Sequence, residues 1–238
     1  FLATRADAVA AVSPLLSREL SRASGRAVHP LPIPWPVPPP MTPEERRVAR
    51  AALGIDPSAN VVLYAGNLDP YQGLDSLGRA FERVAAHRAR LVLLLATESA
   101  PLEMVRHLGP WGRPSVVRAR LRTETDRRLV HAAASVAVVP RRSPGGLPVK
   151  LLDALARGLP TVAVRRALAG HDLADALVLA EDDDDASLAA AIDTSLALSA
   201  VERSSLVQRG RQIVSASFSD AAFLTAHHCA LAEATLGA

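Results

Sequence analysis

Aromatic residues make up only 3% of this chain, and cysteine occurs once, as Cys229. A single thiol excludes a disulfide framework and a cysteine-based zinc cluster, which fits a reducing, cytoplasmic setting. The few aromatics do not interleave with basic residues, and the arginines are scattered rather than striped, so a nucleic-acid surface is not expected. No apolar run reaches the ~18 residues that a bilayer span requires. Residues 1–7 lack both the charged start and the apolar centre of a signal peptide, and read as the inside of a domain, as though the chain begins mid-fold. Lysine is the sharpest shortage. Of 27 basic residues only Lys150 is a lysine.

What remains is abundant alanine, leucine and valine within a hydrophobic content of 49%, over 238 residues, enough to bury a sizeable core. The formal charge of +3 is mild, which leaves acidic ligands and peripheral contact with an anionic membrane surface open. Short β-branched runs alternate with helical periodicity: strands at 61–65, 91–96, 116–117, 136–139, 161–164 and 176–180, with helices near 42–53, 74–87, 102–108, 123–133, 148–157, 186–198, 200–214 and 219–236. That alternation predicts an α/β fold, a Rossmann-like parallel sheet with helices on both faces. Ahead of it, a strand at 8–12, a helix to about residue 23 and a further strand at 27–28 read as the remnant of a second Rossmann-like domain. Residues 29–40 contain seven prolines in twelve, a stiff extended composition that neither a helix nor a central strand can hold. The expected division is therefore 1–29, a linker at 30–41, and 42–238.

One stretch organises the rest. The buried strand Val136-Ala137-Val138-Val139 ends at Pro140, and Gly145-Gly146 follow in a loop whose backbone can approach a ligand closely. Pro148 suits a helix start, Gly158 its end, and Pro160 forbids continuation before the strand at 161–164. A helix start directed at a glycine loop attracts an anion. Lys150 and Asp153 are three apart and share a helix face. Lys150 supplies a compact ammonium for a phosphate, or is an ordinary surface lysine; Asp153 accepts hydrogen bonds from sugar hydroxyls, or pairs with Arg157 at i,i+4. The loop at 66–73 also follows a strand and falls on the same carboxyl edge, where parallel sheets bind ligands. The acidic run Asp182–Asp185 is expected to cap a helix and not to hold a metal, because adjacent carboxylates point different ways. His227, His228 and Cys229 are consecutive and cannot share one helix face.

With these residues in view, VVLYAGNLDPYQGLDSLGRA (61–80) and ASVAVVPRRSPGGLPVKLLDALARGLPTVAV (134–164) resemble the C-terminal, donor-nucleotide half of GT-B glycosyltransferases, retaining family four (group 1), over about residues 41–238. The resemblance implies transfer of a sugar, hexosyl and with retention, from a nucleotide-diphospho-sugar to an acceptor hydroxyl, the acceptor being a saccharide or lipid-linked saccharide. It also implies no cofactor and no metal. Asp153 stands at the ribose carboxylate, one methylene short. Gly145 replaces the glutamate that would touch the donor sugar. Asn67 and Gln72 stand where the family offers an arginine and a lysine to the diphosphate, with Lys150, Gly145 and Gly146 completing that group. Arg120 and Leu121 fall at the base. Two other readings accompany this one: a non-catalytic glycosyltransferase-like module, and a donor-half subunit served by a separate acceptor-domain partner chain.

Overall fold

A computed structural model describes residues 6–98, 115–143, 146–182 and 184–236. The expected helix at 102–108 lies outside them. Six parallel strands form the main sheet: β3 (Asn60–Ala65), β4 (Leu91–Thr97), β5 (Val116–Arg120), β6 (Val136–Val139), β7 (Thr161–Val164) and β8 (Val178–Ala180). Their spatial order is β5-β4-β3-β6-β7-β8. The crossovers run outward in one direction from β3 and in the other from β6, so the switch point lies between these two strands.

Apart from the edge strand β5, the strands are apolar on both faces, as a covered parallel sheet requires. On β3, Val62 and Tyr64 join one core cluster while Val61 and Leu63 join the other. The first cluster is closed by α3 (Leu74–Ala85) and α6 (Asp185–Ala197), with Leu74, Leu77, Phe81 and Val84 buried along α3 at the predicted spacing. The second is closed by α2 (Pro43–Ala52) and α4 (Glu124–Ala133). Both of those helices start on capping boxes, Thr42 with Glu45 and Thr123 with Asp126, in which side chain and backbone satisfy each other's free N–H groups. Asp184 caps α6, its carboxylate accepting from Ser187 N at 2.7 Å. A third cluster gathers α5 (Val149–Ala156), Val214 of α7 (Ala200–Ser217) and Phe218; α8 (Asp220–Leu236) follows.

The N-terminal segment holds a two-residue parallel pair, β1 (Ala10–Ala11) with β2 (His29–Pro30), and α1 (Pro14–Ser24) capped by Ser13. Proline inside β2 agrees with the expectation that the run holds no central strand, since β2 pairs only with β1 and lies outside the main sheet. The ladder needs no N–H at Pro30: His29 N donates to Val9 O at 2.9 Å and Leu31 N to Ala11 O at 2.8 Å. The irregular stretch that follows lies against the rest of the chain. Trp35 N donates to Phe218 O at 2.7 Å, Arg211 Nη2 to Pro38 O at 2.9 Å, and Trp35 and Val37 pack on the third cluster.

Candidate functional site

A cavity of about 360 Å3 opens at the carboxyl edge of the sheet, beside the β3–β6 switch. The loop after β3 gives it Gly66 and Gln72, the start of α5 gives it Pro148, Val149 and Lys150, and Asp153 stands one turn further along the helix. No side chain caps α5, so its first turn presents bare backbone at the cavity wall.

Lys150 is held by neutral partners. Its Nζ donates to Tyr64 Oη at 2.9 Å and to Gln72 Oε1 at 2.6 Å, and lies 4.4 Å from the centre of the Tyr64 ring. Tyr64, on β3, is fully buried and donates its hydroxyl to the carbonyl of Asn67. Burial, then the charge of Arg141, push the Lys150 ammonium down to about 7, with Asp69 opposing. The partners it touches carry no counter-charge, and Asp69 offsets the burial only in part. Gly66 makes the fit: a Cβ there would come within 2.9 Å of Lys150 Nζ. Gly73, with φ 75°, closes the same loop where a Cβ would meet Pro140 O at 2.2 Å.

Asp153 makes the i,i+4 pair and also stands on the cavity wall. Arg157 Nε donates to its Oδ1 at 2.7 Å, as the i,i+4 spacing suggests, yet the residue also lines the cavity and is 8% exposed. Arg157 is shared: its Nη2 donates to both carboxylate oxygens of Glu124 at 2.8 and 2.7 Å, which joins α5 to α4. Burial alone would lower the Arg157 guanidinium, but the hydrogen bonds to Glu124 and the charge of Asp153 hold it above its usual value. The same bond holds Glu124 below its usual carboxylate value. His131 closes the network, with Nε2 3.6 Å from Asp153 Oδ2 and Nδ1 donating to Arg127 O at 2.7 Å; burial pushes its imidazole down.

Of the sequence-predicted residues, Lys150, Gln72, Asp153 and Leu121 line this one cavity. Asn67 stands behind it, its Oδ1 accepting from Gln72 Nε2 at 2.6 Å while its Nδ2 donates to Asp69. Gly146 lies against Val12, to which a Cβ would come within 3.0 Å. Gly145 is outside the described residues. Arg120 is exposed and not part of the cavity wall: β5 alternates, so Val117 and Ala119 pack inward while Arg118 and Arg120 face out. Sequence reasoning passed over Trp35, Tyr71, Arg127 and Arg141, all on the wall. Arg141 lies 5.4 Å from the Tyr71 ring centre. The scarcity of aromatics was the available signal for Trp35 and Tyr71, since each of the few is costly to leave half-exposed without a use.

The sheet order and the cavity at its carboxyl edge define the Rossmann-like class of α/β proteins. The sequence profile described as "Glycosyl transferases group 1" matches residues 59–197, more than half of the chain, and the chain belongs to that family. A D-inositol 3-phosphate glycosyltransferase of Mycobacterium sp. (strain KMS) is 31% identical over 164 residues, 56% of this chain and 34% of the relative. The chain thus spans about a third of the length of the curated relatives it matches. Among solved structures, sucrose-phosphate synthase from Thermosynechococcus elongatus superposes with a TM-score of 0.79 at 22% identity, over 100% of this chain and 60% of that one. The Anabaena protein HepE, solved in complex with UDP-glucose, gives 0.79 at 19% identity, over 99% of this chain and 65% of that one. The fold is that of the GT-B glycosyltransferases.

Proposed function

We propose that residues 42–238 form the donor half of a retaining hexosyltransferase, with 30–41 as linker and 1–29 as the end of an acceptor-side domain. The cavity takes the nucleotide-diphospho-sugar. The observation that carries this reading is the meeting of Lys150, the uncapped start of α5 and Asp153 on one wall of one cavity. Lys150 and the helix start hold the diphosphate, with Gln72 and Asn67 fixing the position of the amine. Asp153, kept in place by Arg157, accepts from the ribose hydroxyls, and Leu121 and Trp35 offer apolar surface to the base.

In the reaction the bond between the anomeric carbon and the β-phosphate oxygen breaks and an acceptor oxygen takes that carbon, releasing its proton. The charge that develops on the leaving diphosphate falls beside the ammonium and the helix start, groups already oriented toward it. The step as proposed is routed through no metal. HepE, whose structure was solved with UDP-glucose, and the mycobacterial relative, a glycosyltransferase by name, support a nucleotide-sugar as the ligand class.

Calorimetry with UDP, GDP and ADP tests the reading directly. At least one is expected to bind, with Lys150→Met weakening it tenfold or more and chelators leaving it unchanged. Heat from none of the three would overturn it.

A further inference from the structure

Lys150 shares the wall of its cavity with two arginines, Arg127 from α4 and Arg141 from the loop after β6. Asp153, the carboxylate on the same wall, is already bonded to Arg157 at 2.7 Å. Like charges facing one hollow repel, and an anion within it relieves that repulsion.

The two loops that leave the switch point bring Arg141 there. β3 and β6 are neighbours in the sheet, so the loop at 66–73 and the residues after Val139 run side by side. Gly73 lets them touch, since its missing Cβ makes room for Pro140 O. Arg141 then lies over the Tyr71 ring, 5.4 Å from its centre, and Asn67 Nδ2 donates to Tyr71 Oη at 3.3 Å. Unlike a carboxylate, a ring orients a guanidinium without neutralising it.

Arg141 also acts on Lys150. After burial, its charge is the main influence pushing the ammonium down to about 7, and Asp69, from the loop after β3, opposes it. Gln72 is neutral, and burial pushes the Tyr64 phenol of β3 up, so neither partner supplies charge near neutral pH. Two cations that suppress one another, on a wall that includes the uncapped start of α5, suit a ligand with at least two negative charges.

Resting on the donor reading above, we propose that Arg141, seated on the Tyr71 ring, is the second cation that binds the diphosphate, beside Lys150. The planar fork suits paired phosphate oxygens, and the ammonium serves as a point charge. Arg141 keeps its charge whether the site is empty or filled, whereas above pH 7 Lys150 gains its proton as the ligand arrives.

Calorimetry on the full chain tests this, with whichever of UDP, GDP and ADP binds tightest. At pH 6 Lys150 holds its proton in native chain and variant alike. There Arg141→Gln is expected to weaken binding tenfold or more. Arg141→Lys, which keeps the charge without the fork, loses only part of the affinity. At pH 8 the empty native site has given up the Lys150 proton and takes it back on binding. With Arg141→Gln the amine retains more of its proton beforehand, so the uptake measured across buffers of differing ionisation enthalpy falls. Arg141→Lys keeps the native uptake. A merely misshapen loop would weaken binding without moving that proton count. Equal affinity of native chain and Arg141→Gln at pH 6, or weaker binding with unchanged uptake at pH 8, overturns the role of Arg141 and leaves the Lys150 site standing. Failure of every nucleoside diphosphate to bind overturns the donor reading and the role of Arg141 together.

Discussion

Lys150 illustrates how a single residue can be legible in type and hidden in state. Its rarity and its place at a helix start were visible in the sequence; its loss of basicity was not, because that depends on Tyr64 and Gln72, 86 and 78 residues away. Unfolded, the amine keeps its proton to about 10.5, and in the folded chain it gives it up near 7. Between those values the unfolded chain binds more protons, so the empty protein gains stability as pH rises through this window, and Lys150→Met should flatten that slope in urea titrations. In the proposed donor site a diphosphate would bind the ammonium, so at pH 8 binding is expected to take up to one proton from the buffer. Affinity then falls by at most about tenfold per unit above pH 7. Calorimetry in buffers of differing ionisation enthalpy measures the uptake, and a proton count of zero at pH 8 would exclude this account. Asp153 teaches the same lesson differently: the i,i+4 pairing was readable, but the bond from Arg157 on to Glu124 crosses between elements and leaves no local trace.

At the level of the element, the two loops at the carboxyl edge were the most legible part of the chain, because glycine and proline mark them. Gly66 and Gly73 serve different ends, and substitution separates them. Gly73→Ala drives a Cβ into Pro140 O at a φ that favours glycine, so the fold should lose about 2 kcal/mol or more, read from urea midpoints. Gly66→Ala meets the far end of a flexible side chain instead. Its expected effect is a displaced Lys150 amine and weaker nucleoside diphosphate binding, together with a loss of stability because φ 155° at Gly66 is a backbone that L side chains rarely adopt. Arg157→Met tests the join between α4 and α5: it strands Asp153 with little exposure to water and should cost about 3 kcal/mol. A change under about 1 kcal/mol would show that the join is dispensable. Arg120 marks the limit of legibility here, since placing it at the base relied on position along the chain, and the pleat of β5 turned it outward.

Over the whole molecule, alternation of strands and helices announced the parallel sheet, and only the spatial order, with its switch between β3 and β6, had to come from the coordinates. The proline-rich run was recognisable as stiff and irregular, but composition carries no record of what an extended segment leans on. Here it leans on Phe218 and brings Trp35 to the cavity. Nucleoside diphosphate should therefore change the emission of Trp35, measured in a Trp111→Phe background that leaves it as the sole indole. Unchanged emission at saturating ligand would place the base elsewhere.

The seam that proline content draws at residue 41 is thus not a boundary of the pocket. A fragment begun there would retain all six strands of the main sheet and the amine at its crevice, yet would meet its ligand with one side of the chamber missing.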